Sequence, residues 1–402
     1  MLHIQSGSFA NFIGAHYWNI ADENSTAAEI SEDSFDSMRH TVPIPVAASR
    51  AVYTEDWKPN LFLIESSLAL GPSGFQGVGG MDPSEHAVHH SRVDIFRQET
   101  DLKHEYQAML EQAELEPSLH RLDETVKYWA DFWKAKSFPD CRAILPPSAD
   151  LSHQYWWEES FPFEAGESDL RKALERIDSV RDITNILNVH GGFASYSNEI
   201  MEFISEELAN KHVFTMVSTE GKPTEPELVN FARLFDIGAE FSGFVFSNAS
   251  DLAHRFIRQH GHDRPITRFT SSAPLAVELH GLLDSRTTRA LPVGLWAVDV
   301  EICDMKNVKE DRVGVSTDLR VPLPFPQHIL RSAGAPDVAD LSVNQSVKTR
   351  DETIRQTFLD IKSALKAFRV SGGVKGNDKV ELDDWLAVEE SFEAAAEDLD
   401  EY

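Results

Sequence analysis

Short apolar stretches alternate with amphipathic ones through the first two thirds of the chain. Residues 2–6 predict a strand, Gly7 lies in the following turn, and the spacing of apolar positions predicts a helix over about 11–20. The positions expected on one face of this helix are Phe12, Ile13, His16 and Tyr17. This order is typical of a nucleotide-binding α/β domain, in which the turn after the first strand lies where a phosphate binds.

A further strand is predicted at 60–65, and the alternation of strand and helix becomes regular after residue 167. There the predicted strands are 183–189, 213–217 and 243–246, and the predicted helices are 168–180, 198–210, 227–235 and 251–260. Repeated strand–helix units form right-handed crossovers, which produce a parallel sheet covered on both faces. The fold class is therefore predicted to be α/β, with a doubly wound parallel-sheet Rossmann-type N-terminal domain. The glycine-rich stretch 71–80 lacks the Gly-Lys-Ser/Thr ending of a phosphate loop and is expected to be a linker.

Beyond residue 265 the pattern changes to a largely apolar helix at 271–285 and a strand at 293–302. The proline-rich stretch 321–326 is followed by an amphipathic helix at 351–368 and by a final acidic helix. These changes predict a second α+β unit and then C-terminal helices.

Composition excludes several classes of protein. The chain has 402 residues, a formal net charge of −29 and a sequence pI near 4.9, which argues against binding the phosphate backbone of nucleic acids. It has two cysteines, Cys141 and Cys303, and no zinc-finger spacing, so a reducing compartment is expected. We expect no signal or transit peptide and no membrane-spanning helix, because the early residues are acidic and no apolar run is long enough.

Several blocks of sequence resemble one superfamily. The opening LHIQSGSFANFIGAHYWNI resembles the tubulin N-terminus, and its GAHYWN part, like YWADFW at 128–133, is similar to the Misato family of tubulin-related proteins. NLFLIE at 60–65, VHGGFASYSNEIMEFISEEL at 189–208 and TEPELVN at 224–230 resemble further tubulin blocks in the same order. The resemblance covers most of residues 1–290.

This resemblance implies a tubulin-like fold in three parts. Residues 1–265 would form the nucleotide-binding-type domain, with a Misato-type segment at about 81–165. Residues 266–350 would hold the core helix and a shortened middle domain. Residues 351–402 would hold the C-terminal helices and an acidic tail.

The resemblance also names candidate nucleotide-binding residues, which are Gly7, Ser8, Gly191, Gly192, Ser195, Glu225 and Asn248. Tubulins cradle phosphates with GGGTGSG, in which missing Cβ atoms let backbone N–H groups reach the anion. Here the stretch reads HGGFASY, and Phe193 replaces the threonine. Phe9 in the first turn and Phe193 in the second are expected to be apolar intrusions at the two phosphate positions.

Two candidates have simpler alternative roles. Glu225 and Asn248 correspond to the ribose and guanine contacts of tubulin, but each could instead cap the helix that follows it. After helix 271–285 the chain has Arg286 and Arg289 in place of the acidic residues that activate water in tubulins. We therefore expect no catalytic residues and no GTPase activity, and an arginine-finger role remains an alternative.

Other constellations carry less weight. His86, His89 and His90 lack partners with metal-ligand spacing, and residues 377–390 lack the spacing of a calcium loop, so no metal site is expected. Ser195 lies in a strand-to-helix turn, but the GxSxG elbow of hydrolases is missing.

The resemblance implies a non-enzymatic protein of mitochondrial distribution, fusion and morphology, located in the cytoplasm and peripherally on the mitochondrial outer membrane. Its expected partners are proteins: the mitochondrial surface or fusion machinery, and tubulin or its folding chaperonin. No cofactor is expected, although GTP stays possible. The alternatives are a divergent tubulin-like GTPase that forms filaments, and an adaptor whose acidic tail, 378–402, could be removed without unfolding the rest.

Overall fold

A computed structural model defines the fold. It describes residues 1–27, 39–43, 55–66, 69, 104–107, 122–134, 142–145, 155, 157, 163–175, 180, 182–208, 210–250, 252–253, 266–284, 294–304, 315–321, 326, 339–348, 352–371 and 382–397. The strands are β1 Leu2–Ser6, β2 Arg39–Pro43, β3 Glu55–Pro59, β4 Leu61–Ser66, β5 Arg142–Leu145, β6 Asp182–Asn188, β7 His212–Thr219, β8 Ser242–Asn248, β9 Gly294–Asp304, β10 Val315–Val321 and β11 Ala339–Lys348. The helices are α1 Ser8–Ala27, α2 Leu122–Thr125, α3 Phe163–Glu175, α4 Phe193–Glu207, α5 Glu225–Gly238, α6 Arg268–Asp284, α7 Glu352–Ser371 and α8 Leu382–Glu397.

Six of these strands form a parallel sheet in the order β5-β4-β1-β6-β7-β8. When the separate β2–β3 hairpin is set aside, this is the strand order of a doubly wound Rossmann domain. The predicted parallel α/β sheet is therefore confirmed. The sheet continues beyond β8 through β9, which pairs in parallel, and then through the antiparallel strands β11 and β10. The predicted boundary between the first and second domains stays a prediction.

Helices cover both faces of the sheet because neighbouring strand residues point in opposite directions. In β1, Leu2 and Ile4 belong to the apolar cluster on the side of α3, α4, α5, α7 and α8. On the opposite face, α1 and α6 pack against each other, and their apolar cluster includes Leu61 and Leu63 of β4. The sheet thus separates two apolar cores.

Helix α1 is buried on every side from Phe9 to Ala21. The predicted amphipathic face was therefore too narrow, and the helix extends beyond the predicted residues 11–20 at both ends. The reason is that α1 is covered by the sheet, by α6 and by residues 128–134, which we call the strap. A helix enclosed in this way can be apolar all round.

The C-terminal helices are part of the core. Trp385 and Phe392 of α8 lie in the same apolar cluster as Phe358 of α7 and Phe231 of α5, and each is at most 6% exposed. This burial argues against the expectation that residues 378–402 can be removed without unfolding the rest, since their removal would expose part of the core. Among the described helices, none is both long and apolar enough to cross a membrane.

Several expectations concern residues outside the described part of the chain. These are the glycine-rich stretch 71–80, His86, His89 and His90, Arg286 and Arg289, and the acidic end 398–402. Besides α1, five helices begin or end away from their predicted bounds by up to five residues. These are α3 (predicted 168–180), α4 (predicted 198–210), α5 (predicted 227–235), α6 (predicted 271–285) and α7 (predicted 351–368).

Candidate functional site

The candidate site is the crevice at the carboxyl ends of β1, β4, β6, β7 and β8. Strand order reverses between β1 and β6, and ligands of open α/β sheets bind outside the carboxyl ends of the strands at such a point. The turn after β1 contains Gly7, and the turn after β6 contains Gly191 and Gly192. The topology therefore brings the two predicted glycine turns together.

The first turn is packed and hydrogen-bonded within the protein. Gly7 has a φ of 100°, in the region that favours glycine, and its backbone N–H donates to the carbonyl oxygen of Ile64 at 3.1 Å. A Cβ atom added to Gly7 would lie 2.6 Å from Cβ of Asn188 and 3.2 Å from Cγ of Phe193. The glycine is thus required by the close approach of the two turns to each other.

The second turn is closed in a similar way. The backbone N–H of His190 donates to Oδ1 of Asn188 at 2.8 Å, and the N–H of Ala194 donates to the carbonyl oxygen of Gly191 at 3.0 Å. Gly191 has a φ of 59°, and Gly192 occupies the N-cap position of α4. These N–H groups are directed to internal acceptors, whereas a phosphate cradle directs such groups at the anion.

The two phenylalanines occupy different places. Phe193 is 4% exposed, and its ring lies against Gly7. That this place corresponds to a phosphate position stays a prediction. Phe9 was expected beside the other phosphate position, and this was wrong. Its side chain is fully buried in the apolar cluster between the sheet, α1 and α6, because α1 begins at Ser8, three residues before its predicted start, and includes Phe9 in its first turn.

The N-terminus of α5 also lies at the crevice and is capped by Thr224. The backbone N–H and the hydroxyl of Thr224 each donate to Oε2 of Glu227 at 2.8 Å, in a capping box. The alternative role of Glu225 as the N-cap was therefore wrong. The N-cap is the preceding residue, Thr224, and Glu225 is the exposed first residue of the helix. His190 approaches the same carboxylate, with Nδ1 at 3.4 Å from Oε1 of Glu227. Its interaction with Glu227 raises the pKa of His190.

The pKa of Glu227 moves in the opposite direction. Burial alone would raise it, but the hydrogen bonds from His190 and Thr224 lower it overall. Glu227 is therefore a carboxylate held in its charged form at the mouth of the crevice.

The remaining candidates lie around this centre. Ser8 and Ser195 are half-buried residues in the first turns of α1 and α4, and Asn248 is the half-buried last residue of β8, next to Thr219 of β7 in the sheet. Asn248 directly precedes helical residues, at the position of a cap. No contact identifies a ligand for any of these residues, and their roles stay predictions.

Two basic side chains among the described residues of the crevice already lie beside carboxylates. Arg268, at the start of α6, pairs with Glu220 after β7 at 2.8 Å, just as His190 pairs with Glu227. Each of these two basic side chains therefore has a carboxylate beside it. A triphosphate would therefore have to displace these carboxylates from their partners, or bind beside them and face their negative charge.

Glu65, the penultimate residue of β4, is a site residue that sequence reasoning missed. It is fully buried, and its Oε2 accepts hydrogen bonds from Nδ2 of Asn11 at 3.0 Å and from Nε1 of Trp129 at 2.9 Å. Its Oε1 accepts the backbone N–H of Ser66 at 2.8 Å. Burial raises the pKa of Glu65 to about 7, and the three hydrogen bonds oppose that rise. The available signal was a glutamate inside an otherwise apolar strand sequence, NLFLIE.

A comparison with protein families identifies the N-terminal part of the chain. Residues 1–112 match the Misato Segment II tubulin-like domain. The N-terminal part of the chain is therefore a Misato tubulin-like domain. The resemblance drawn from the opening sequence is confirmed for these residues, which include β1, α1 and β4. The second turn, α5 and the YWADFW stretch lie beyond the matched residues, and for them the resemblance stays a prediction.

The Misato domain thus supplies one side of the crevice, with Gly7, Asn11 and Glu65. Residues beyond it supply the other side, with Phe193 and Trp129 each reaching back to contact it. Among the described residues, no three His, Cys, Asp or Glu side chains come together as a metal site. The arrangement offers close internal packing and buried hydrogen bonds.

Proposed function

We propose that this chain is a non-enzymatic tubulin-like protein that acts in mitochondrial distribution, fusion and morphology. It would act from the cytosolic face of the mitochondrial outer membrane, as a peripheral protein. The match of residues 1–112 to the Misato Segment II domain supports the mitochondrial role. The expected partners are proteins of the mitochondrial surface or the fusion machinery, and tubulin or its folding chaperonin.

The observation that carries the non-enzymatic part is the contact between the two turns. The ring of Phe193 lies against Gly7, where a bound phosphate would need free space and free N–H groups. The N–H of Gly7 donates to the carbonyl oxygen of Ile64, and the carboxylate of Glu65 accepts hydrogen bonds from Asn11 and Trp129. The internal pairing of these two groups supports a protein that keeps the fold without catalysing nucleotide hydrolysis.

The experiment is a measurement of nucleotide content and binding. Protein purified under native conditions is denatured, and the released small molecules are identified by mass spectrometry. Titration calorimetry with Mg-GTP is then performed on the same preparation. We expect no stoichiometric nucleotide and no saturable heat. Tight GTP binding with magnesium-dependent hydrolysis would refute the proposal and favour the filament-forming GTPase.

The mitochondrial role needs a separate test in cells. Depletion of the protein is expected to alter the distribution and connectivity of mitochondria, and re-expression of the wild-type chain is expected to restore them. A Phe193→Thr variant, which restores the tubulin residue type at this position, is the informative companion. If nucleotide binding plays no part in the role, this variant should restore mitochondrial distribution no better than the wild-type chain. Any shortfall should match its loss of folding stability. Normal mitochondria after depletion would exclude the role.

A further inference from the structure

The strap, residues 128–134, is an aromatic cover on α1 and β4. Trp129, Phe132 and Trp133 are each at most 1% exposed. The ring of Phe132 lies 4.5 Å from that of His16 and 4.8 Å from that of Phe269, measured between centroids. The strap therefore joins α1 to α6 across the side of the first core.

Its backbone is held by two amide side chains. Asn19 of α1 donates from Nδ2 to the carbonyl oxygen of Phe132 at 2.8 Å and accepts the N–H of Lys134 at 2.9 Å. Gln107 donates from Nε2 to the carbonyl oxygens of Ala130 and Trp133, both at 2.8 Å. None of these groups titrates near neutral pH, so they hold the strap equally well across that range.

Glu65 is different, because it is a titratable group sealed under the strap. Trp129 donates to it from the strap, Asn11 from α1, and the N–H of Ser66 from β4 itself. Arg268 of α6 acts on it by charge. When Glu65 is protonated, Oε2 can still accept from Asn11 and Trp129, so docking does not require the charged form.

We propose that docking of the strap is linked to protonation of Glu65, so that the strap is a pH-sensitive cover of the β4 end of the crevice. Docking removes the carboxyl group from water, and release returns it to water. By linkage, whichever state binds the proton more tightly is favoured at low pH. The strap is thus held most firmly in the acidic range and is released more often as the pH rises through neutrality.

The size of the effect follows from the two pKa values. The docked carboxyl group has a pKa of about 7, and a carboxyl group in water has its ordinary value of 4.5. Between pH 5.5 and pH 8 the equilibrium constant for opening should then rise by about 30-fold. In this proposal the direction is set by burial, the largest contribution to the raised pKa of Glu65, which release of the strap relieves.

Hydrogen–deuterium exchange on the full chain tests this. The readout is the protection of a peptide covering 126–134, corrected for the intrinsic pH dependence of amide exchange. A peptide from β7, Val213–Val217, carries no ionisable side chain and serves as the internal control for global opening. We expect strap protection to fall by about 30-fold from pH 5.5 to pH 8 relative to the control peptide. Equal pH dependence of the two peptides would overturn the proposal.

Two variants assign the effect to Glu65. Glu65→Gln should remove the pH dependence of strap protection, and persistence of the dependence would refute the role of Glu65. If that variant does not fold, Trp129→Phe retains an aromatic ring and removes the N–H that lowers the pKa of Glu65. Its opening transition should move to higher pH, and an unchanged transition would contradict the proposal.

This inference deepens the proposed function, since it concerns the regulation of the same crevice. The exchange experiment contains no nucleotide, so a failure of the strap proposal leaves the GTP measurements unaffected. Conversely, detection of bound GTP would refute the non-enzymatic proposal without changing the exchange result.

Discussion

Replacement of Gly7 by alanine separates a packing role of the first turn from a nucleotide-binding role. Gly7 has a φ of 100°, and an added Cβ would lie 2.6 Å from Cβ of Asn188. Holding a non-glycine residue in such a conformation costs about 1–3 kcal/mol, and overpacking costs about another 1–3 kcal/mol. We therefore expect Gly7→Ala to lower the free energy of unfolding by about 2–6 kcal/mol with no nucleotide present.

The assay is equilibrium unfolding in urea, followed by tryptophan fluorescence in nucleotide-free buffer containing a chelator. Gly221→Ala is the matched control, because Gly221 has no heavy atom within 4 Å of its added Cβ and no positive φ is recorded for it. A loss of this size is large against the roughly 5–15 kcal/mol of a typical domain. If Gly7→Ala proved as stable as the control, the turns would have room between them, and the argument against phosphate binding would fail.

Three further predictions concern other parts of the fold. Thr224→Ala should cost about 1 kcal/mol in thermal unfolding because it removes a capping box, whereas Glu225→Ala should be nearly neutral; equal effects would contradict the assignment of the cap. Burial lowers the pKa of His3 from its ordinary 6.5 to about 3, so the unfolded chain binds a proton that the fold excludes, and stability is lost as the pH falls through this range. His3→Phe should therefore move acid unfolding to lower pH, with up to about 5 kcal/mol recovered, and an unchanged acid midpoint would show that the fold accepts that proton. Deletion of 382–402 should abolish cooperative unfolding and increase binding of an apolar dye, because Trp385 leaves the core; an intact near-ultraviolet circular dichroism spectrum would refute this.

The elements predicted best are those with a strong apolar pattern. Strand β1 was predicted at residues 2–6 and is found there, and β6 lies within one residue of its predicted bounds. Strand β5 was missed because its four residues give no recognisable period. Strands β10 and β11 were missed because their sequences, VSTDLRV and ADLSVNQSVK, are largely polar and their pairing depends on each other and on β9.

The meeting of the two glycine turns was predictable from the sequence, whereas the contacts between them were not. Parallel-sheet topology places Gly7 and Gly191 at one edge, and the sequence alone suffices for that inference. The bond between Glu65 and Trp129 joins residues 64 positions apart through a segment without a clear period. Phe9 was misplaced because it was assigned to the turn, whereas α1 begins at Ser8, three residues before its predicted start, and holds Phe9 in its first turn. Contacts of these kinds depend on tertiary packing, which local patterns do not specify.

Glycine turns at the carboxyl ends of strands are therefore weak evidence for nucleotide binding. At Gly7 the positive φ and the close approach of Asn188 already require glycine, whether or not a phosphate is bound. A phosphate site and a packed turn differ in the acceptors of their backbone N–H groups. In a phosphate site these groups donate to the anion, whereas in a packed turn they donate to carbonyl and amide oxygens of the protein. In this chain the N–H of Gly7 goes to Ile64 and that of His190 goes to Asn188. At Gly7, packing and backbone conformation are therefore sufficient reasons for glycine, and the residue type alone does not identify a phosphate site.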